Sequence, residues 1–280
     1  MALAAVDYQA ESAAEAFVAS LREYGFGVLK NHPIPESDVI SIYQNWERFF
    51  ASPGKSEWQF DPVTMDGFYP LEVSETAKGY ALKDLKEYYH YFHPWGKCPP
   101  ALKGELVAYR EKAQALAAEL LSWVEQFTPA DVSAGFSEPL SQMIDGSEQT
   151  LLRVLHYPPL QGDEPEGAVR AAAHEDINLL TVLPAANAAG LQVLGRDGQW
   201  MDVPCDFGLL IVNTGDMLQE ASGGYFSSTT HRVINPPDAQ AGESRISLPL
   251  FLHPRPDVEL SERHTARSYL TERLNELGFN

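Results

Sequence analysis

The chain is expected to be mainly β with flanking α-helices, and three features of its 280 residues point that way. From about residue 148 onward, short apolar runs recur between Pro, Gly and Asn, the texture of a sandwich or barrel. Before that point most apolar residues repeat at helical spacing. After about residue 256 the helical spacing returns. One domain over residues 1–280 is the simplest account: a mostly helical region to about 147, a β core over about 148–255, and a C-terminal helix over about 256–280.

The elements follow in order. Residues 12–24 place Ala16, Phe17, Leu21 and Tyr24 on one helical face, and Gly25 is a natural stop. Phe26–Lys30 reads as a strand closed by Asn31, His32 and Pro33. A second helix spans residues 36–50, with Ile40, Tyr43, Phe49 and Phe50 apolar, and Pro53-Gly54 ends it. Residues 51–100 have weak periodicity, though residues 84–93 suit a strand. A long helix over 102–127 carries a stripe of Leu106, Tyr109, Ala113, Leu116, Leu120, Val124 and Phe127. Strands are then expected over 151–156, 179–183, 191–194, 208–213, 229–234 and 246–252, and a helix over 265–277.

Composition narrows the function. Hydrophobic residues make up 44%, enough for a substantial core. Lys plus Arg number 20 against 39 Asp plus Glu, a net charge of -19. Such a surface repels phosphate backbones and anionic lipids, so neither nucleic acid nor a membrane is expected as a partner. A local Arg inside a pocket still outweighs a distant field, so an anionic small molecule stays compatible. The two cysteines, Cys98 and Cys205, form no Cys-x-x-Cys pair, and they fit a reducing cytoplasm. The first residues lack a basic stretch and meet Asp7 and Glu11 early, unlike a signal peptide. No apolar run approaches a membrane span.

The chemistry is expected around His174-Glu-Asp176. In a strand, or leaving one, residues 174 and 176 share a face while Glu175 points away. An imidazole and a carboxylate can then serve one ion, with His231 the candidate third ligand. Two His and one carboxylate make the facial triad of non-haem Fe(II) oxygenases, which leaves coordination positions open. Alone, His-x-Asp is a weak signal. Arg245-Ile-Ser247 adds weight: a guanidinium beside a hydroxyl on one strand face suits a carboxylate.

These residues resemble a family, the isopenicillin N synthase-like 2-oxoglutarate/Fe(II) dioxygenases. Residues 24–34 look like its "GF-x-x-x-x-NH-x-I" signature, and Leu152-Arg-Val-Leu-His-Tyr-Pro-Pro159 is similar to its "LR-x-x-x-YPP" strand. Residues 174–183 resemble its metal strand, and Asn213-Thr-Gly-Asp-Met-Leu-Gln219 is similar to "N-x-GD-x-LQ". Thr230-His-Arg-Val233, Arg245-Ile-Ser247 and a closing helix complete the order. The resemblance implies a double-stranded β-helix, or jelly roll. It implies Fe(II) on His174, Asp176 and His231, and 2-oxoglutarate on Arg245 and Ser247, with Tyr157 a further donor. Leu155 stands where many members carry Asn, so one polar contact is expected to be missing. The implied function is oxidative decarboxylation of 2-oxoglutarate coupled to oxidation, by hydroxylation, of a small molecule with O2. Two alternatives stay open: a 2-oxoglutarate-independent Fe(II) oxidase or oxidative cyclase of the isopenicillin N synthase type, and a non-catalytic metal-binding jelly-roll module. Gly215, Asp216 and Gly224 are read as turn residues, with Asp216 capping. Gln219 is read as packing or as touching the site. Tyr69, Tyr80, Tyr89 and Phe251 are candidate pocket residues.

Overall fold

A computed structural model describes residues 3–76, 82–237 and 240–276. The chain opens with β1 (Ala5–Asp7), α1 (Ala13–Tyr24), β2 (Phe26–Lys30) and α2 (Glu36–Ala51). It continues through β3 (Gly67–Tyr69), β4 (Glu87–Phe92), the long α3 (Pro100–Gln126), and two single-turn helices, α4 (Ala130–Ser133) and α5 (Leu140–Met143). The β-rich half runs β5 (Leu151–Tyr157), β6 (Ala171–His174), β7 (Leu180–Pro184), β8 (Leu191–Leu194), β9 (Trp200–Asp202) and β10 (Leu210–Thr214). Then come α6 (Asp216–Ala221), β11 (His231–Val233), β12 (Arg245–Ser247), β13 (Leu250–Leu252) and α7 (Ala266–Glu276).

The strands form two sheets. The larger has the order β1-β2-β10-β7-β13-β5-β4-β3, with β12 also paired to β5; the smaller has the order β6-β11-β8-β9. The expected mainly β architecture with flanking helices is present, and its core is a jelly roll. Neighbouring strands skip in sequence, so the sheets close only when distant segments meet.

Side-chain alternation gives the larger sheet two different faces. On one, Leu29, Leu152, Val154, Val182, Leu210, Val212, Leu250 and Leu252 join a single apolar cluster with α1, α2 and α3. From α3 that cluster takes Leu106, Tyr109, Ala113, Leu116, Leu120 and Val124, the stripe expected from the sequence, while Phe127 caps the helix and is 37% exposed. Each fully buried Leu or Val here contributes about 1.5–3 kcal/mol of transfer free energy. Gly25 ends α1 at φ 68, a left-handed geometry that glycine adopts without strain and that lets its amide reach the Leu21 carbonyl.

The opposite face looks toward the smaller sheet. Register sets its members: Phe26 lies opposite Asn213, Asn213 opposite Thr181, and Thr181 opposite Phe251. Arg245 lies opposite Tyr157, Ser247 opposite Leu155, and Arg153 opposite His90. This face mixes those polar groups with two smaller apolar clusters, one around Phe26, Val28 and Ile211 and one around Tyr88, Leu155 and Tyr157.

The expected single strand over 246–252 is two strands. Pro249 has no N–H to continue a ladder, so β12 ends at Ser247 and β13 restarts at Leu250. β1, β3, β9 and α6 were not foreseen, being 3–6 residues long and below the length at which periodicity is readable. The expected final helix is present as α7, and its last residue by expectation, Leu277, lies outside the described residues.

Candidate metal centre and co-substrate pocket

β6 ends at His174 and β11 begins at His231, and the two residues are direct cross-strand partners. Their rings sit 4.4 Å apart, centroid to centroid. The chain leaves β6 through Glu175 and brings Asp176 back beside them. Asp176 Oδ1 lies 3.7 Å from His231 Nε2 and 4.0 Å from His174 Nε2. One ligand atom from each of the three lies within 4.8 Å of the others, and this is the one such His/Cys/Asp/Glu group among the described residues.

The surrounding hydrogen bonds leave those atoms free. His174 Nδ1 donates to the Ala172 carbonyl (2.8 Å) and His231 Nδ1 donates to the Thr229 carbonyl (3.0 Å). With the proton on Nδ1, each Nε2 keeps a lone pair facing its partner residues. Asp176 Oδ2 accepts from Thr181 Oγ1 (2.6 Å) and Asn213 Nδ2 (2.8 Å), so Oδ1 is left for the histidines. Burial pushes the Asp176 carboxyl up, but His231, His174 and those two hydrogen bonds outweigh it and hold it below its usual value. Burial, and then the neighbouring His231, bring His174 down to about 4, although 37% of its side chain opens to solvent. Two imidazoles with Nε2 turned toward a carboxylate held below its usual value, with one side open, are a donor set for a divalent cation.

Gly215 shapes the loop that carries Asp176. Its amide donates to the Leu179 carbonyl (3.0 Å), and the Asp216 amide donates to the Asp176 carbonyl (2.7 Å). A Cβ on Gly215 would overlap the Asn178 backbone carbonyl and side chain. Gly215 is thus structural, as expected. Asp216 differs from expectation: it is the first residue of α6, with Gly215 in the capping position, and its buried Oδ1 has no hydrogen-bond partner among the described residues. Burial raises it to about 6. Gln219 Oε1 accepts from the Ser228 amide (2.9 Å), a packing role.

On the same inner face β12 presents Arg245 and Ser247, 3% and 2% exposed. Arg245 Nε donates to the Ala188 carbonyl (3.1 Å), its guanidinium carbon lies 5.1 Å from the Tyr157 ring centroid, and its buried Nη1 has no partner among the described residues. A desolvated guanidinium with an unused N–H fits an anionic group. Leu155, opposite Ser247, packs with Tyr88, Tyr157, Ala171 and Val233 and supplies no polar atom.

Comparison with known proteins places this geometry. Residues 148–254 match the 2OG-Fe(II) oxygenase superfamily, and residues 2–127 match the non-haem dioxygenase in morphine synthesis N-terminal family. A 2-oxoglutarate-Fe(II) type oxidoreductase, hxnY, from Emericella nidulans is 30% identical over 83% of this chain and 71% of that protein. The proline hydroxylase buaE of Petromyces alliaceus is 30% identical over 88% of this chain and 84% of that protein. Among solved structures, a presumed oxygenase from Shewanella oneidensis superposes with a TM-score of 0.90 at 58% identity, covering 99% of both chains.

The chain belongs to the 2OG-Fe(II) oxygenase superfamily. It is an oxidoreductase, a 2-oxoglutarate/Fe(II)-dependent dioxygenase, and Fe(II) and 2-oxoglutarate are its cofactors. Small molecules and O2 are the expected reactants of such enzymes. No described helix is long and apolar enough to cross a membrane.

The oxygenase carries a charged cluster on this face that the sequence did not reveal. Arg153 donates through both terminal nitrogens to Glu75 (2.8 and 3.1 Å) and through Nε to His90 Nε2 (2.8 Å). His90 Nδ1 donates to the Met65 carbonyl, so the ring is neutral, and burial and then Arg153 hold it well below its usual value. Lys86 bridges Glu75 and Asp84, each at 2.9 Å, and Asp84 Oδ1 accepts from the Ala172 amide two residues before His174. The Arg153 guanidinium lies 4.6 Å from the Tyr88 ring centroid and 5.3 Å from that of Phe251. These charges belong to segments far apart in sequence, and nothing local in residues 75–90 signals their convergence.

The candidate pocket residues divide. Tyr69 stacks on Tyr88 on the inner face, and Phe251 lies opposite Thr181 there, partly exposed. Tyr89 points the other way, against Trp46 and Phe49 of α2, with its hydroxyl on the Lys97 carbonyl; one residue of register separates the two roles. Tyr80 lies outside the described residues.

Proposed function

We propose that His174, Asp176 and His231 hold the Fe(II), that Arg245 and Ser247 anchor the far carboxylate of 2-oxoglutarate with Tyr157 beside them, and that the enzyme hydroxylates a small molecule. The observation that carries this reading is the pairing of a preset donor trio, set by β6 and β11 of the smaller sheet, with a buried Arg245 N–H on the larger sheet that has no partner among the described residues. The bound metal and co-substrate supply O2 activation through oxidative decarboxylation to succinate and CO2, coupled to oxidation of a substrate C–H bond.

The chain's own part is preorganisation. The Ala172 and Thr229 carbonyls fix both imidazoles with Nε2 inward. Thr181 and Asn213 fix the carboxylate rotamer and keep it ionised. Arg245 and Ser247 orient a dicarboxylate along the chamber, and the apolar groups Leu155, Ala171 and Val233 keep water from screening the guanidinium. Tyr88, Phe251 and the Arg153 cluster stand where a substrate meets the open side of His174. The shared apolar cluster of α1–α3 and the larger sheet supports a single domain. The two free cysteines support a reducing, cytoplasmic setting.

The test is an anaerobic Fe(II) titration with and without 2-oxoglutarate, followed by the weak visible metal-to-ligand charge-transfer band. A band requiring both, lost in His174→Ala and weakened in Arg245→Met, is the expected result. Iron binding with no band, or O2 uptake that ignores 2-oxoglutarate, would overturn it in favour of an oxidase of the isopenicillin N synthase type.

A further inference from the structure

The arginines of this chain are not all treated alike. Arg153 and Arg255 are satisfied by carboxylates, Glu75 and Glu138. Arg170 and Arg245 are more deeply buried, at 1% and 3% exposure, yet neither forms an ion pair with a described residue. Arg170 immediately precedes β6. Its amide donates to Asn235 Oδ1 (3.0 Å) and its Nη2 donates to the Glu243 carbonyl (2.8 Å), two residues before Arg245. Its Nε has no hydrogen-bond partner among the described residues, and neither has Arg245 Nη1. Ala171, the next residue, shares an apolar cluster with Tyr157, over whose ring Arg245 lies.

Arg170 and Arg245 are therefore held by backbone carbonyls, those of Glu243 and Ala188, with no acid among the described residues paired to either. Burial, and then the charge of Arg245, lowers Arg170, while Tyr157 opposes the shift. Two like charges buried without a counter-ion are costly, and each orphaned N–H adds to the cost. An anionic ligand of the pocket removes both penalties together.

We propose that Arg170 is a second cation of the co-substrate pocket, acting with Arg245 on the far carboxylate and making the pocket selective for a keto acid whose far end is charged. This rests on the assignment of Arg245 to 2-oxoglutarate. Arg170 is a positioning residue: it raises the affinity for the dianion and takes no part in the oxidation. Its contribution is electrostatic, so it vanishes for a keto acid with the same chelating end and no far charge.

The experiment is calorimetric binding to the Mn(II)-loaded full chain, using 2-oxoglutarate and 2-oxopentanoate as paired probes, on wild type, Arg170→Gln, Arg170→Met, Arg170→Lys and Arg245→Met. Gln keeps a donor for the Glu243 carbonyl and loses the charge; Met keeps the length and loses both, so either folded variant suffices. The expected result is that neutralising Arg170 weakens 2-oxoglutarate about tenfold and 2-oxopentanoate less than about twofold, with Arg170→Lys recovering most of the loss. Equal weakening of both probes would show a merely structural role, and no weakening of 2-oxoglutarate would remove Arg170 from the pocket; either outcome overturns the proposal. Failure of the underlying assignment looks different: wild type would then bind the two probes alike, and Arg245→Met would leave both unchanged.

Discussion

Replacing Thr181 by Val tests whether the carboxylate of the donor trio is held by its hydrogen bonds. Valine keeps the shape of threonine and suits a strand, so packing in β7 is preserved. What is lost is the 2.6 Å bond from Oγ1 to Asp176 Oδ2, together with an acceptor for Asn178 Nδ2. The amide of Asn178 keeps the Leu180 carbonyl (3.0 Å), and Asp176 keeps Asn213 (2.8 Å). The net loss is one buried hydrogen bond to a charged group, about 2 kcal/mol. With an unfolding entropy near 2.1 cal/mol/K per residue, that corresponds to a fall in Tm of about 3 °C for a chain of this size. The carboxylate, left with Asn213 alone, is held less firmly toward His174 and His231, so affinity for a divalent metal is expected to fall by about tenfold or more, the usual cost of losing a supporting partner of a ligand. Melting of the metal-free protein and competition against a chelator measure the two effects separately. An unchanged Tm together with an unchanged metal affinity would refute the view that Thr181 positions Asp176.

Three further predictions follow from the same geometry. Arg245→Met removes the charge proposed to anchor the co-substrate and should weaken 2-oxoglutarate by at least about thirtyfold while metal affinity holds; equal affinity in a direct titration would remove Arg245 from the pocket. Gly215→Ala forces its Cβ against Asn178 backbone, so the loop carrying Asp176 must move; a loss of more than about 2 kcal/mol in denaturant stability is expected, along with weaker metal binding, and an unaffected melt would show the loop to be yielding. His253 is brought down to about 4 by burial, with the Phe251 carbonyl and Asp176 opposing. Its folded value is below the unfolded one, so the unfolded chain binds the extra proton and stability falls as pH drops from about 6.5 toward 4. His253→Gln should flatten that part of the Tm-against-pH curve, and identical curves would show that His253 does not carry the dependence.

Local order made much of this molecule readable. The helices came from 3.6-residue periodicity and stops such as Gly25, and the strands from short apolar runs between turn residues. The outer face of the larger sheet obeys that logic, since Leu152, Val154, Val182 and Leu250 need only be apolar. The trio was legible for a narrower reason: His174 and Asp176 are two residues apart, and His231 and Arg245 sit in motifs of their own.

The inner face resisted reading because its meaning lies in register. Tyr89 and Tyr88 are neighbours in sequence, yet one packs under α2 and the other stacks beside Arg153. Pro249 splits a run that looks continuous. By itself, then, the sequence determined the mainly β class, the helical layer and the choice of His174, Asp176 and His231 as a candidate donor trio, because those depend on residue type and short spacing. The tertiary structure alone decided that Glu75, Lys86 and Arg153 converge near the trio and that Arg170 and Arg245 are buried with no acid partner among the described residues. Both depend on which strands lie opposite one another, a long-range choice that no local pattern encodes.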